Sequence, residues 1–234
     1  MPSGRRSAAT TDPRNQPAYP LSEAARYLKL PAATLRAWTL GRRYPTTQGK
    51  GDFRPLIRPA SGKPPLLSFS NLIEAHVLRA LRMEHGVSVK ALRQAVEFAE
   101  KKLGIERLLL RPELCSEAGQ VFLDRYGELI DLSASGQLAM RQVLQTHLKR
   151  VTWDDQRFPA RLHPFVVGEA ASSGMPIAID PRISFGRPVV ISRGISTAAI
   201  VSRIDAGETV ADLAADYDLS VAEIDDAVLY ERVA

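Results

Sequence analysis

A pair of short helical segments, set off by proline and glycine, constrains the fold of this chain more than any other feature. Ser22 is placed to cap a first helix over 23–28. Pro31 opens a second helix, because its fixed φ angle suits the first helical position, and Gly41 ends that helix. Two helices of this length joined by a tight turn are typical of a helix-turn-helix.

The side chains of these two helices divide into an apolar face and an outward face. The apolar residues recur at helical spacing, so we expect them to form a small core. The predicted core consists of Leu28, Leu30, Leu35 and Trp38. Arg36 and Thr39 are then expected to face outward, with Arg42 and Arg43 just beyond the second helix. The second helix is therefore predicted to present polar side chains to a partner.

The stretch 44–68 combines prolines, glycines and basic residues. Two short apolar pieces, Leu56-Ile57 and Leu66-Leu67, are predicted to be strands of a basic β-wing. The alternative is a solvated, flexible loop. We favour the wing because a helix pair precedes it, and because a helix that Ser70 is placed to cap follows it.

Two longer helical patterns follow the wing. The first ends at Gly86, and Ser88 is placed to cap the second. The apolar residues of the second form a narrow, heptad-like stripe, which is either intramolecular core or a dimer seam. The stripe consists of Val89, Leu92, Val96, Ala99 and Leu103.

The apolar periodicity changes after Gly104, where a unit of mixed structure begins. Short strands are predicted over 108–111, 120–124, 129–132, 151–153 and 161–162, with one helix over 136–149. A linker over 168–176 leads to a strand at 177–179 and then to three helices. These helices are expected to begin at Thr197 or Ser196, at Thr209 and at Ser220, with Glu223 completing a capping box at the last.

The predicted fold class is mainly α with small β elements. Residues 1–18 lack periodicity and are predicted to be a disordered arm. The remaining predicted units are a winged helix-turn-helix region (19–104), a small α+β middle unit (105–167) and a three-helix, helix-turn-helix-like domain (177–234).

Charge is distributed unevenly along the chain. The stretch 20–111 holds 17 Lys and Arg against 7 Asp and Glu, a net charge of +10. The stretch 205–231 holds nine acidic residues and no Lys or Arg, a net charge of −9. Two ends of opposite sign predict two different partners, of which the basic end suits nucleic acid.

The stretch from Tyr19 to Gly41 resembles the MerR-family DNA-binding domain. The pieces that carry the resemblance are Ser22-Glu23-Ala24-Ala25-Arg26-Tyr27-Leu28 and Thr34-Leu35-Arg36-Ala37-Trp38, and it extends through the wing to about Leu103. The resemblance implies DNA binding by a winged helix-turn-helix. The metal-binding cysteines of that family have no counterpart, because Cys115 is the only cysteine.

The stretch from Ile179 to Tyr230 resembles a small trihelical bacterial domain of unknown function. The matching pieces are Asp180-Pro181-Arg182-Ile183, Gly186-Arg187-Pro188-Val189-Val190, Arg193-Gly194-Ile195, Ala206-Gly207-Glu208 and Leu213-Ala214-Ala215-Asp216-Tyr217. Many members carry Gly-Thr-Arg-Ile where this chain has Gly194-Ile195-Ser196-Thr197.

Because the chain carries both of these regions, its whole architecture resembles that of the larger VapB-type antitoxins. They imply an antitoxin of a type II toxin–antitoxin system, which binds and inhibits a toxin with a PIN-like ribonuclease fold. They also imply repression of its own operon through operator DNA, bound as a dimer. The alternative is a free-standing MerR-like transcriptional regulator with a ligand-binding C-terminal region.

The basic side chains around the helix-turn-helix are the candidate DNA contacts. Arg36 and Thr39 are predicted to lie near base edges, because a recognition helix in the major groove specifies sequence. The phosphate candidates are Arg42, Arg43, Lys50, Arg54, Arg58 and Lys63. The alternative is that these charges form a solvated face.

The C-terminal domain supplies the candidate partner contacts. Its acidic helices are expected to meet a basic surface such as the RNA groove of a ribonuclease, or else to form an acidic dimerisation module. Arg187 and Arg193 precede the helices and are candidates for entering a carboxylate-rich metal site. The full set of partner-binding candidates is Arg187, Arg193, Asp212, Asp216, Tyr217, Asp225 and Tyr230.

Enzyme and membrane signals are weak throughout the sequence. His76, His85, His147 and His163 form no metal-binding motif, and no nucleophile or phosphate-loop motif is present. We therefore predict no catalytic residue, no metal and no cofactor. The chain has no apolar run long enough for a membrane span and no secretory leader, and a single cysteine suits a reducing compartment. A cytoplasmic location is expected.

Overall fold

The computed structural model describes residues 12–46, 49–83, 89–115, 120–125, 134–164 and 174–233. The fold is mainly helical with small antiparallel sheets, as the sequence predicts. One large hydrophobic core gathers side chains from Tyr19 to Ile179, and a smaller one lies among the last three helices. No helix within these ranges is both long and apolar enough to cross a membrane.

The helix-turn-helix and its wing form the first part of the fold. The elements are β1 (Tyr19–Pro20), α1 (Leu21–Tyr27), α2 (Ala32–Leu40), β2 (Arg42–Thr46), β3 (Gly49–Phe53), β4 (Ser61–Gly62) and β5 (Pro65–Leu67). Strands β2 and β3 pair as a hairpin, and a second sheet has the order β1-β5-β4. Tyr19 pairs with Leu67 in that second sheet, so the strand before the first helix closes onto the end of the wing.

The predicted wing strand at Leu66-Leu67 is confirmed, whereas the one at Leu56-Ile57 is wrong. The backbone N–H groups of Leu56 and Ile57 both donate to the carbonyl of Trp38, at 2.7 and 3.0 Å. Ile57 is buried, so this piece packs under α2 instead of pairing in a sheet. The flanking Pro55 and Pro59 lack the N–H donors that a strand ladder needs.

The helix starts differ from the predicted caps in the N-terminal part. Pro20 and Pro31 occupy the N-cap positions of α1 and α2, and neither helix has a side-chain cap. Ser22 therefore lies inside α1, and the cap predicted for it is wrong. Gly41 ends α2 as predicted, with a φ angle of 73° that a residue with a Cβ rarely adopts.

Helices α3 (Phe69–Met83) and α4 (Val89–Leu103) provide much of the large core. The predicted cap Ser70 is wrong. Instead, Ser68 and Asn71 bond each other's backbone N–H groups across the first turn of α3. On α4, Leu92 and Ala99 are buried in the chain's own core. The heptad-like stripe therefore contributes to that core.

The middle of the chain is more helical than predicted. It contains two 3₁₀ helices (Leu108–Leu110 and Pro112–Cys115), α5 (120–125), α6 (Ala134–Leu148), β6 (Val151–Trp153) and β7 (Pro159–Leu162). The predicted strands at 108–111 and 120–124 are wrong, because a short buried apolar run does not distinguish strand from helix. The strands near 151–153 and 161–162 and the helix near 136–149 are confirmed, and 129–132 lies outside the described residues.

Residues 12–18, predicted as the end of a disordered arm, are ordered. A 3₁₀ helix spans Pro13–Asn15, and the Arg14 guanidinium pairs with both Asp12 and Asp154. Asn15 accepts a hydrogen bond of 2.8 Å from the Ser70 hydroxyl. The segment is thus tied to α3 and to the β6–β7 turn, and the rest of the predicted arm lies outside the described residues.

The C-terminal part begins with a small sheet and ends with three helices. Its elements are β8 (Ile177–Ala178), β9 (Val189–Val190), β10 (Ile195–Ser196), α7 (Thr197–Asp205), α8 (Val210–Tyr217) and α9 (Val221–Arg232). Thr209 caps α8, and Ser220 with Glu223 forms the predicted capping box of α9. A bridge between Leu162 and Ile179 joins this part to β7.

The last helix also packs directly against the helix-turn-helix. The Tyr230 hydroxyl donates to the carbonyl of Tyr27 at 2.9 Å, and Glu231 pairs with Arg26. The Lys29 ammonium, in the turn between α1 and α2, lies 4.2 Å from the centre of the Tyr230 ring. The C-terminal part therefore packs against α1 and the turn that follows it.

Candidate DNA interface and partner surface

The exposed face of α2 is narrower than the sequence predicts. Arg36 is exposed, as expected of a residue that meets base edges. Thr39 is 1% exposed, and its hydroxyl donates to the carbonyl of Leu35 at 2.9 Å. The outward orientation predicted for Thr39 is therefore wrong. Its hydroxyl is satisfied by its own helix, and its spacing of four residues from Leu35 signals the buried face.

A shallow groove runs along this exposed face. It has a volume of about 360 Å³ and lies between the start of α1, the exposed side of α2 and β5. Its lining residues are Leu21, Ser22, Ala32, Ala33, Arg36 and Pro65. Sequence reasoning missed Ala32 and Ala33, although their spacing from Arg36 places all three on one helix face. Side chains this small allow the α2 backbone to approach a groove of DNA closely.

The predicted phosphate contacts fall into two groups. Arg42, Arg54, Arg58 and Lys63 are exposed around the hairpin and the segment that follows it. Arg43 and Lys50 lie within the β2–β3 hairpin, where Arg43 pairs with Asp52 and Lys50 with Pro45 through the backbone. The side chains of Arg43 and Lys50 lie outside the described part of the chain. The exposed group forms the basic border of the helix-turn-helix.

A buried polar network positions the segment that carries Arg58. The Asn71 side-chain amide donates to the Arg58 carbonyl and to the Glu74 carboxylate, both at 2.9 Å. Arg107 pairs with the other oxygen of Glu74 at 2.9 Å. Burial raises the pKa of the Glu74 carboxyl, and the nearby Arg107 opposes that rise. A fully bonded network of this kind fixes the loop rigidly.

The acidic helices present some of the predicted partner residues and engage others. Asp212 and Asp225 are exposed. Asp216 pairs with Arg203 at 2.6 Å, and Tyr217 is half-buried with its ring centre 5.0 Å from the same guanidinium. Arg203 thus neutralises part of the acidic face of α8.

The two arginines predicted to bind a partner, Arg187 and Arg193, differ in whether they form an ion pair. Arg193 pairs with the Asp218 carboxylate, and its Nε donates to the Asp218 carbonyl at 3.1 Å. Arg187 is exposed, and its guanidinium forms no ion pair within the described part of the chain. Of the two arginines, Arg187 is therefore the one whose exposed guanidinium is not engaged by a carboxylate among the described residues.

Tyr230, predicted to bind a partner, is 1% exposed. Burial raises the pKa of its phenol well above the ordinary value, so the hydroxyl stays protonated and donates to Tyr27. The prediction that Tyr230 contacts a partner is therefore wrong, because the side chain joins α9 to α1.

The described residues contain no group of three His, Cys, Asp or Glu side chains able to hold a metal ion. The rings of His76 and His147 approach to 5.5 Å, a proximity that the sequence does not suggest. The His76 Nε2 lies 3.1 Å from the His147 carbonyl, and burial lowers the pKa of His76 to about 3. This histidine pair is part of the contact between α3 and α6.

A helix-turn-helix with an exposed arginine on its second helix and a basic border defines a DNA-binding protein. Residues 17–96 match the model of a putative DNA-binding helix-turn-helix domain, and residues 177–230 match a protein domain of unknown function, DUF433. The chain is 30% identical over 230 residues to the putative antitoxin VapB45 of Mycobacterium tuberculosis. That alignment covers 91% of this chain and 92% of its relative, so the chain belongs to the family of this putative antitoxin.

Further relatives extend over nearly the whole chain. The uncharacterized protein Rv2308 of Mycobacterium tuberculosis is 28% identical over 238 residues, covering 97% of this chain and 95% of that protein. The crystal structure of Rv2018 from the same organism has a TM-score of 0.66 at 25% identity, and the match covers 91% of this chain and 97% of that one. The likeness therefore spans both matched domains and the residues between them.

Proposed function

We propose that the chain is an antitoxin that binds operator DNA as a dimer and inhibits a PIN-like ribonuclease toxin. The observation that supports this proposal most is the division of charge on the folded chain. The helix-turn-helix exposes Arg36, Arg42, Arg54, Arg58 and Lys63, whereas the last three helices expose Asp212 and Asp225. Membership in the family of a putative antitoxin supports the assignment of the basic surface to DNA and of the acidic surface to a toxin.

The DNA half of the proposal assigns two roles to the basic residues. Arg36 meets base edges from α2, and the exposed arginines and Lys63 neutralise phosphates. A mobility-shift titration on the DNA upstream of the gene tests this half. We expect the R36A variant to lose preference for the upstream sequence over random DNA. Equal affinity of the wild-type protein for both DNAs would contradict operator recognition.

The toxin half of the proposal assigns the acidic helices to a basic surface. The exposed acids of α8 and α9 meet the RNA groove of a ribonuclease and so block its substrate. Co-expression with the product of the adjoining reading frame, followed by pull-down and a ribonuclease assay, tests this half. If the two proteins never co-purify, the antitoxin proposal fails.

Arg187 is the arginine that we assign to the toxin's carboxylate-rich metal site. It is exposed and ion-pair-free among the described residues, whereas Arg193 is already bound to Asp218. Charge reversal by R187E is expected to weaken inhibition more than R193E does. Equal effects of the two variants would remove this assignment.

A cavity supports a second candidate function, a regulator that binds a small ligand. It has a volume of about 540 Å³ and lies between α3, α4 and the segment 55–59, not in the C-terminal region. Its charged lining residues are Arg58, Arg93, Arg107, Glu74, Glu97 and Glu100. Thermal-shift screening with amino acids and other zwitterions, repeated on a V96W variant that fills the cavity, tests this candidate.

A further inference from the structure

The loop between β8 and β9 displays one aromatic side chain to solvent. Phe185 is 92% exposed, far more than any other large apolar side chain of the described residues. A side chain of this size with so little contact contributes almost nothing to the stability of the chain itself. Packing within the fold therefore does not account for the position of this ring.

The backbone that carries Phe185 has an uncommon conformation. Ser184, Phe185 and Gly186 have φ angles of 49°, 56° and 74°, so three successive residues are left-handed. Residues other than glycine, asparagine and aspartate rarely adopt this conformation, and a bulky aromatic residue is among the least suited. Strain of this kind concentrates at functional positions, where the surroundings enforce it.

The loop is firmly attached on both sides of Phe185. Gly186 lies against Tyr19, so that a Cβ on Gly186 would stand 2.0 Å from the Tyr19 hydroxyl oxygen. On the other side, Asp180 is buried and bonds the Arg182 backbone N–H at 2.9 Å and pairs with Arg161 at 3.4 Å. The loop is thus pre-organised, which lowers the entropic cost of docking.

The charge beside Phe185 indicates what it docks into. Arg187, two residues further on, is exposed and forms no ion pair in the described part of the chain. Arg182 is 63% exposed at its side chain, but its guanidinium already pairs with Asp180 at 2.9 Å, so Arg187 is the charge available to a partner. An aromatic anchor beside a guanidinium group of this kind fits an apolar pocket with a carboxylate rim. Aromatic and arginine side chains are the types that dominate binding energy at protein interfaces.

We propose that Phe185 is the apolar anchor by which this chain docks into an acid-rimmed pocket of its toxin. This inference rests on the proposed antitoxin function and adds the residue and the pocket chemistry. The Ser184–Gly186 turn presents the ring, Gly186 and Asp180 hold the turn to the fold, and Arg187 meets the carboxylates at the rim.

The backbone conformation provides a sharp test. The F185G variant removes the ring and also relieves the left-handed strain, and F185N keeps a residue that tolerates this conformation. We expect both variants to keep or raise the melting temperature and to keep DNA affinity. Both are expected to raise the dissociation constant for the toxin by about thirtyfold, the effect of an interface anchor.

Val221 provides the matched control, because it is an exposed apolar residue of the same domain, 52% exposed at the start of α9. We expect V221A to change the dissociation constant by less than about threefold, since residues around a hot spot contribute little. If V221A weakens toxin binding as much as F185G does, Phe185 is not the anchor.

Three further outcomes overturn the inference. If F185G inhibits the toxin like the wild-type protein, the anchor is wrong while the antitoxin function stands. If F185G shifts the oligomeric state measured by sedimentation in the absence of toxin, the partner that Phe185 contacts is a second copy of this chain. If the wild-type protein neither co-purifies with nor inhibits the toxin, the proposed function itself fails.

Discussion

Two regions of this molecule share a helix-turn-helix pattern and carry opposite charge. Helices α1 and α2 lie within a stretch of net charge +10, and helices α7 to α9 lie within or beside a stretch of net charge −9. The two patterns have similar helix lengths, seven and nine residues against nine, eight and twelve. A similar helix pattern therefore does not by itself predict the same partner, because phosphate is attracted to the basic surface and repelled by the acidic one.

The two regions also start their helices by different means. Proline at the N-cap begins α1 and α2, where the fixed φ angle orients the chain without a side-chain hydrogen bond. Thr209 and Ser220 begin α8 and α9 with side-chain caps. Helix α7 has no side-chain cap, so α8 and α9 are the two helices of the acidic unit that begin with a local hydrogen bond that α1 and α2 lack.

The largest expected effect tests the charge division. With six phosphate contacts the log–log salt slope of DNA binding is about −5, so affinity falls about a thousandfold between about 50 and 200 mM salt. Replacing Arg42, Arg54, Arg58 and Lys63 by Gln should leave a slope of about −2, a fall of about tenfold over the same range. Fluorescence-anisotropy titrations at several salt concentrations measure both slopes.

The matched control for this experiment lies in the acidic region. Replacing Asp212, Asp216 and Asp225 by Asn removes three negative charges and leaves the helix-turn-helix unchanged. We expect the salt slope of this variant to equal that of the wild-type protein. A flatter slope in the Asn variant, of the size seen in the Gln variant, would break the division between the two regions.

The contact between the two regions gives the next largest effect. Y230A removes a buried aromatic ring between α9 and α1 and is expected to lower the free energy of unfolding by about 3–5 kcal/mol. Y230F removes only the hydrogen bond to the Tyr27 carbonyl and should cost about 1 kcal/mol. Urea unfolding measures both, and a Y230A protein as stable as the wild type would mean that the regions do not dock.

The pH dependence of the free energy of unfolding is expected to differ between the two regions. The size of this effect lies between that of Y230A and that of the helix caps. Burial lowers the pKa of His76 to about 3, so below pH 6.5 the unfolded chain takes up a proton that the folded chain excludes. Stability is therefore lost as pH falls, by about 2 kcal/mol at pH 5. The C-terminal domain (177–234) contains no histidine, so we expect the basic region to be destabilised first as the pH falls.

The variant H76Q tests this pH dependence, because glutamine keeps a donor and does not titrate. The free energy of unfolding of H76Q should be lower at pH 7 but should change less between pH 7 and pH 5. An unchanged pH slope in H76Q would assign the acid sensitivity to other groups, such as His163, whose pKa burial also lowers.

The smallest effect compares the two ways of starting a helix. S220A removes the capping box of α9 and should cost about 1 kcal/mol. Its control is S22A, an exposed serine inside α1, which should be nearly neutral because Pro20 occupies the cap. If S22A costs as much as S220A, the assignment of the α1 start is wrong.

Much of the fold was predictable where local chemistry decides it. Gly41, Thr209 and Ser220 end or begin helices because their own conformational preferences and hydrogen bonds act within one turn. The strands near 151–153 and 161–162 followed from the same local rules. The errors at 108–111 and 120–124 arose where a short buried run carries no period that separates helix from strand.

The candidate DNA site was predictable in part. The sequence identified Arg36 and the basic residues of the hairpin and the segment after it, because their charge and spacing are visible in one dimension. It misplaces Thr39, because a polar residue is expected to face water, whereas here the helix itself satisfies the hydroxyl. It missed Ala32 and Ala33, since small apolar residues carry no chemical signal of a groove.

The opposite charges of the two regions and the helix ends at Gly41, Thr209 and Ser220 follow from the sequence alone. The three-dimensional packing was needed to show that Tyr230 is buried, that Arg193 pairs with Asp218 while Arg187 forms no ion pair among the described residues, and that Phe185 is exposed. The physical reason is distance along the chain: Tyr230 meets Tyr27 across 203 positions, and Gly186 meets Tyr19. Burial arises from such distant contacts, whereas charge and capping act through neighbouring residues.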